Sequence, residues 1–248
     1  MAGSAPGAAQ ARQNLGLALL LAGRKDEAAP YLMAAQKDLE HSNQPEVHVS
    51  LGDALMGQKQ PAGALAEYEK AEALMSQIAG AGTGLESLRA KMSEAHNDLG
   101  IERARAGRLD EAVKEYREAV RLRPDSAPAQ NNLGYALFQT RQLDEAVDHL
   151  KEAIRLQPDY VVAQISLGDA LLELGRNDEA VAALTKAMAF PSGRTSAELQ
   201  NDLGVALGRL GKLDASVPHF QEAIRLKPDF ENAKVNLSRV LAALKGRG

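Results

Sequence analysis

The chain has no cysteine and no tryptophan, and phenylalanine and tyrosine bring its aromatic content to only 4% of 248 residues. Without thiols it forms no disulfide and no thiolate metal site, which is compatible with the cytosol and the periplasm alike. With so few aromatics, a core must be assembled from alanine and leucine, and such a core suits close helix-on-helix packing better than a sandwich or barrel. Basic residues are not in excess: 29 Lys and Arg stand against 33 Asp and Glu, for a net charge of -4. This balance argues against a general binder of nucleic acid or anionic membrane, which carries a basic stripe. Long apolar runs are also missing. The longest, Leu17 to Ala22, is far too short to span a bilayer. The opening MAGSAPGAAQ has neither the charged nor the apolar segment of a secretory leader, so the cytoplasm is the favoured location. Residues 1–8 read as a disordered tail or a cloning remnant.

What the chain does have is internal repetition. A Leu-Gly pair recurs at Leu15-Gly16, Leu51-Gly52, Leu99-Gly100, Leu133-Gly134, Leu167-Gly168 and Leu203-Gly204, in steps of 36, 48, 34, 34 and 36 residues. Thirteen residues beyond each Leu stands a small residue: Ala28, Ala64, Ala112, Ala146, Ala180 or Ser216. Four further on comes a large one: Leu32, Tyr68, Tyr116, Leu150, Leu184 or Phe220. Pro124, Pro158 and Pro228 close three units in the same register. Within each unit the apolar positions fall at helical intervals on two segments separated by a polar break. Gly23, Gly107, Gly175 and Gly211 occupy that break, where positive φ is often needed. Asp-Glu pairs such as 144–145 open the second segment, where acids favour the positive end of a helix dipole. Each helix pair buries only part of its apolar face, so neighbours must stack to complete the core.

This pattern resembles the tetratricopeptide repeat from about Ala9 to the C-terminus. The resemblance implies an all-α fold, a right-handed superhelical solenoid of helix hairpins. Six repeats are expected at about 9–42, 45–78, 93–126, 127–160, 161–194 and 197–230, followed by a capping helix at 231–245. One feature departs from the family: the aromatic expected three residues before each Leu is replaced by Arg12, His48, His96, Gln130, Gln164 or Gln200.

Two joints are irregular. Between repeats two and three, Gly80 to Gly84 reads as a hinge; Thr83 with Glu86 then forms a capping box that opens a first helix two or three turns longer than its siblings. Between repeats five and six, Pro191 to Arg194 reads as a loop, followed by a second capping box of Thr195 and Glu198. In the capping helix, Leu237 and Leu241 share the core-facing side. At the other end Leu15, Leu17, Leu19, Leu20 and Leu21 cover nearly all sides of one helix. Either an upstream segment is missing, or this end joins another molecule through Leu17, Leu20 and Leu21, or the Ala-rich tail folds over it.

Signs of catalysis are few. The glycine run at 80–84 follows a helical segment rather than a β-strand, unlike a phosphate-binding loop. The histidines show no metal-ligand spacing, and His149 and His219 read as solvated outer-surface residues. The Asp-Glu pairs recur at the period of the fold, which marks them as structural. No enzymatic activity, cofactor or metal is expected.

In repeats of this family the first helices line the inner surface and bind peptides. Carried over by offset from each Leu, the resemblance implies a groove lined by Asn97, Ile101, Arg105, Asn131, Tyr135, Phe138, Gln139, Asp169, Glu173, Asn201 and Arg209. The Asn column offers donors and acceptors to a peptide backbone, Tyr135 and Phe138 an apolar anchor, and Asp169 with Glu173 a partner for a basic side chain. The Lys and Arg clamp with which some members hold a C-terminal carboxylate is lacking. The expected function is a scaffold for a protein or peptide partner, with neither a nucleic-acid ligand nor a membrane span. Two alternatives stand beside it: self-assembly through the N-terminal repeat, and a targeting domain of a larger enzyme such as a glycosyltransferase.

Overall fold

A computed structural model describes residues 6–38, 44–77 and 82–246, and among these all regular structure is α-helical. The chain forms two compact units, residues 1–124 and 125–248. The first holds the hairpins α1 (Pro6–Leu21)/α2 (Lys25–Asp38), α3 (Pro45–Gly57)/α4 (Pro61–Met75) and α5 (Gly82–Arg105)/α6 (Leu109–Leu122). The second holds α7 (Ala127–Gln139)/α8 (Leu143–Leu156), α9 (Val161–Glu173)/α10 (Asn177–Ala187) and α12 (Ala197–Arg209)/α13 (Leu213–Leu226). A single turn, α11 (Pro191–Arg194), precedes the third of these hairpins, and the unpaired α14 (Glu231–Lys245) follows it.

The hairpins share one local device. Each first helix ends in a residue of left-handed conformation, and the amide that follows reaches back to the carbonyl five residues earlier. Examples are Gln142 to Leu137 at 2.9 Å, Arg176 to Leu171 at 2.8 Å and Lys212 to Leu207 at 3.0 Å. This is a Schellman ending, which satisfies carbonyls that the helix itself leaves free. Gly23, Gly107, Gly175 and Gly211 hold it with φ of 72–74°, as the sequence indicated. In hairpins two and four the same turn falls on Lys59 (φ 58°) and Arg141 (φ 65°), where a side chain makes it strained.

The Leu-Gly pairs have an equally direct cause. A Cβ on Gly134 would stand 2.7 Å from Leu150 Cγ, and one on Gly168 would stand 2.5 Å from Leu184 Cδ2. The glycine admits the large side chain 16 residues later, which is why Leu150, Leu184 and Phe220 are almost wholly enclosed. Small and large residues thus interlock across each hairpin, the large one being leucine in three hairpins and Tyr68, Tyr116 or Phe220 in the others.

In four hairpins the missing aromatic is replaced by a polar pair between the two helices, formed by residues 19 positions apart. His48 Nδ1 lies 2.8 Å from Glu67 Oε2, and His96 Nδ1 lies 2.8 Å from Glu115 Oε2. His149 Nδ1 donates to Gln130 Oε1 at 2.7 Å, and His219 Nδ1 donates to Gln200 Oε1 at 2.8 Å. His149 and His219 are therefore half-buried cross-helix donors, not the solvated surface residues expected. Burial also lowers the pKa of His219, which keeps the ring neutral for this role.

The irregular joints differ in detail from expectation. Helix α5 spans 24 residues against 13 in α3, about three turns more. It starts at Gly82, so Thr83 lies inside the helix and does not cap it; residues 80 and 81 of the expected hinge lie outside the described residues. Pro191 to Arg194 forms α11 instead of a loop, because Pro191 sits at the first helical position, where a missing N–H costs nothing. The cap of α12 is Ser196, whose Oγ accepts from Leu199 N at 3.1 Å. Thr195 instead turns its hydroxyl back to the carbonyls of Pro191 and Ser192. Helix α14 buries Ala233 and Val240 and leaves Leu241 exposed and Leu237 half-buried, so its contact face is rotated from the one expected. At the N-terminus the helix begins at Pro6, inside the expected tail. There Leu17 packs against the core of the first unit, and the side chains of Leu20 and Leu21 lie outside the described residues.

Candidate functional site

In the second unit α9 lies between α7 and α12, so the three first helices that carry the expected groove residues are neighbours. Tyr135 on α7 is 44% exposed. Its ring centroid lies 6.3 Å from that of Phe138, with the planes tilted by 32°. Phe138 packs on the core of the unit, so the exposed tyrosine rests on a fixed base.

The asparagines are turned inward. Asn131 and Asn201 are only 6% and 8% exposed. Asn131 Nδ2 donates to Asn132 Oδ1 at 3.2 Å. Asn201 Nδ2 donates to Asp202 Oδ1 at 3.1 Å, and its Oδ1 accepts from Asn236 Nδ2 at 3.0 Å. Asn201 thus ties α12 to α14 instead of presenting an amide to a ligand. Arg209 is likewise engaged: its Nη1 donates to the Leu172 carbonyl in the last turn of α9, where a cation complements the helix dipole. Glu173 forms an ion pair with Arg141 at 2.5 Å, which neutralises it. Gln139 is exposed.

Asp169 behaves differently. It shares a hydrogen bond with Asp202 of the next first helix. Burial raises the pKa of both carboxyls well above the ordinary range, and the negative charge of Asp202 adds to the rise at Asp169. Two acids so placed favour a shared proton over two full charges. A cation arriving at the pair releases that proton and gains a full carboxylate partner.

Sequence offsets missed Asp202 and Arg141. Asp202 stands one residue before the Leu of its repeat, a column that also holds Asp98, Asn132 and Ser166. That column was legible, but its facing the Asp169 position was not.

In the first unit, Asn97, Ile101 and Arg105 lie on α5. Ile101 and Arg105 line a notch of about 260 Å³ together with Met56, Pro61 and Asp98. Among the described residues, no group of three or more His, Asp or Glu is placed to hold a metal ion, and no helix is long and apolar enough to cross a membrane.

Helix hairpins joined by Schellman turns and locked through Leu-Gly contacts define a helical repeat protein. Tetratricopeptide-repeat profiles match residues 97–161, 140–190, and both 9–37 and 197–230. Together these matches span more than half of the chain, and the chain belongs to the tetratricopeptide-repeat family. No curated protein sequence matches it. Among solved structures, it is similar to YrrB, a TPR protein with an unusual peptide-binding site, at 18% identity and a TM-score of 0.61; the match covers 82% of this chain and 95% of that one. PilF of Pseudomonas aeruginosa matches at 19% identity and a TM-score of 0.56, over 94% and 97% of the two chains. MamA matches at 23% identity and a TM-score of 0.53, over 72% and 95%. These likenesses concern the fold.

Proposed function

We propose that this chain is a non-enzymatic scaffold whose first-helix wall in the second unit holds a peptide segment of a partner protein. An apolar side chain of that segment rests on Tyr135 and Phe138, and a basic one meets Asp169 and Asp202. The observation that carries this reading is the exposed Tyr135 ring on its Phe138 base, one first helix away from the paired carboxyls of Asp169 and Asp202.

The test uses a library of random linear 12-residue peptides displayed on phage and selected on the wild-type chain. Enriched sequences should pair an apolar residue with Lys or Arg. A synthetic representative should lose at least tenfold in affinity, read by fluorescence anisotropy, on the double change Tyr135→Ala and Phe138→Ala. Unaltered affinity in that variant would remove the groove assignment.

A second reading rests on the first hairpin. Leu15, Tyr31 and Met33 are all exposed there, Leu15 to 45%, and so large an apolar share at one end suits contact with a second copy. Light scattering over a hundredfold range of concentration decides it, since a strictly monomeric chain excludes self-assembly.

A further inference from the structure

Lys59 and Arg141, which adopt the left-handed turn conformation without being glycine, are both cations. A side chain in that conformation is strained. Arg141 puts its side chain to use. It stands eight residues past Leu133 and pairs at 2.5 Å with Glu173, six past the Leu of the next repeat. Lys59 stands eight past Leu51, but the residue six past Leu99 is Arg105. Two cations therefore occupy the positions that join a cation to an acid in hairpins four and five. Both line the notch of about 260 Å³ beside α5, together with Asp98, Glu102, Met56 and Ile101. None of these four charged side chains has an ion pair or hydrogen bond among the described residues. Glu102 and Arg105 are three apart on α5, a spacing that closes an ion pair elsewhere: Arg121–Glu118 at 2.8 Å, Arg155–Glu152 and Arg225–Glu222 at 2.7 Å. On α5 it does not, and both side chains line the notch unpaired.

We propose that this notch binds a free α-amino acid with an apolar side chain. Lys59 and Arg105 take its carboxylate, Asp98 and Glu102 its ammonium group, and Met56 and Ile101 its side chain. The charges select this class of ligand. Two unpaired cations lining one notch call for an anion, and two carboxylates four residues apart on one face of α5 call for a cation. A phosphate would be repelled by Asp98 and Glu102, whereas a zwitterion satisfies both pairs at once. The volume lies below the range for drug-sized ligands and suits one amino acid better than a peptide. The notch lies in the first unit and shares no residue with the Tyr135 wall.

The test titrates the intact chain with L-leucine, N-acetylleucine and leucine amide at about pH 6.5, where α-amino groups are charged and α-carboxyls ionised. The backbone amides of Ile101 and Arg105 are followed by NMR. Leucine should bind with a Kd of about 1 mM or below, as its few atoms allow. N-acetylleucine lacks the ammonium and leucine amide the carboxylate, so each should bind about tenfold more weakly. Lys59→Gly separates a binding role from a structural one. It relieves the left-handed turn and should raise Tm, yet it should weaken leucine binding about fivefold. Asp98→Asn with Glu102→Gln should bring leucine down to the level of N-acetylleucine. No shift up to about 20 mM leucine, undiminished leucine binding in either variant, or either derivative binding as tightly as leucine would overturn the proposal. Tighter binding of the capped tripeptide Glu-Leu-Lys, which carries both charges on its side chains, would assign the notch to a partner protein and overturn it equally.

Discussion

Replacing Gly168 by Ala should destabilise the second unit, although alanine is the better helix former. In an open helix the exchange stabilises by about 1 kcal/mol. At Gly168 the new methyl would lie 2.5 Å from Leu184 Cδ2, 2.7 Å from Cγ and 3.1 Å from Cδ1, whereas carbon atoms pack best at about 3.5–4.0 Å. The obstructing atoms include a branch carbon in a fully enclosed side chain, so relief requires α9 and α10 to part by about 1 Å. Overpacking of this severity costs about 3 kcal/mol, and the net loss is about 2 kcal/mol. Gly208 on α12 is the control. A Cβ there meets nothing within 4 Å, so Gly208→Ala should stabilise by about 0.5 kcal/mol. Urea unfolding followed by far-UV circular dichroism measures both. A third variant isolates the cause. Leu184→Ala alone should cost about 2–5 kcal/mol, but combined with Gly168→Ala the loss should fall short of additivity by more than about 0.5 kcal/mol, because the methyl occupies the vacated space. A Gly168→Ala chain as stable as wild type, or losses that simply add, would refute the reasoning.

Two further outcomes follow from the site and the caps. For the Asp169–Asp202 pair the folded pKa values lie above the unfolded ones. As pH rises from the ordinary carboxylate range the unfolded chain therefore releases protons that the folded chain retains, and stability falls until about pH 8, the upper limit of the Asp169 rise. Asp169→Asn should flatten that decline and raise stability at pH 8 by on the order of 2 kcal/mol, read from urea midpoints across a pH series. Ser196→Ala should cost about 1 kcal/mol through loss of the α12 cap, while Thr195→Ala, outside the cap, should be nearly neutral by the same unfolding assay.

The hairpins were legible because everything that makes them is close in sequence. A positive-φ turn lies within ten residues of its Leu, and the Leu-Gly pair meets its large partner 16 residues on, within one hairpin. Even the long α5 showed in an unbroken helical pattern. Where legibility failed locally, neighbouring residues competed for one role: Ser196 took the cap from Thr195 because its hydroxyl reaches Leu199 N, and a proline at the first helical position turned a loop into α11.

The repeat and its all-α fold were thus set by composition and period alone, since backbone geometry repeats wherever the same small and large residues recur. Which side chains meet across neighbouring helices was decided only in three dimensions. Asp169 with Asp202, Arg141 with Glu173 and Arg209 with Leu172 join residues 32 to 37 positions apart. Offsets placed Asn131 and Asn201 in a peptide groove, yet packing turned them inward: Asn201 meets Asn236 of the adjoining α14, whereas Asn131 reaches Asn132 of its own helix and its Oδ1 is enclosed without a partner among the described residues.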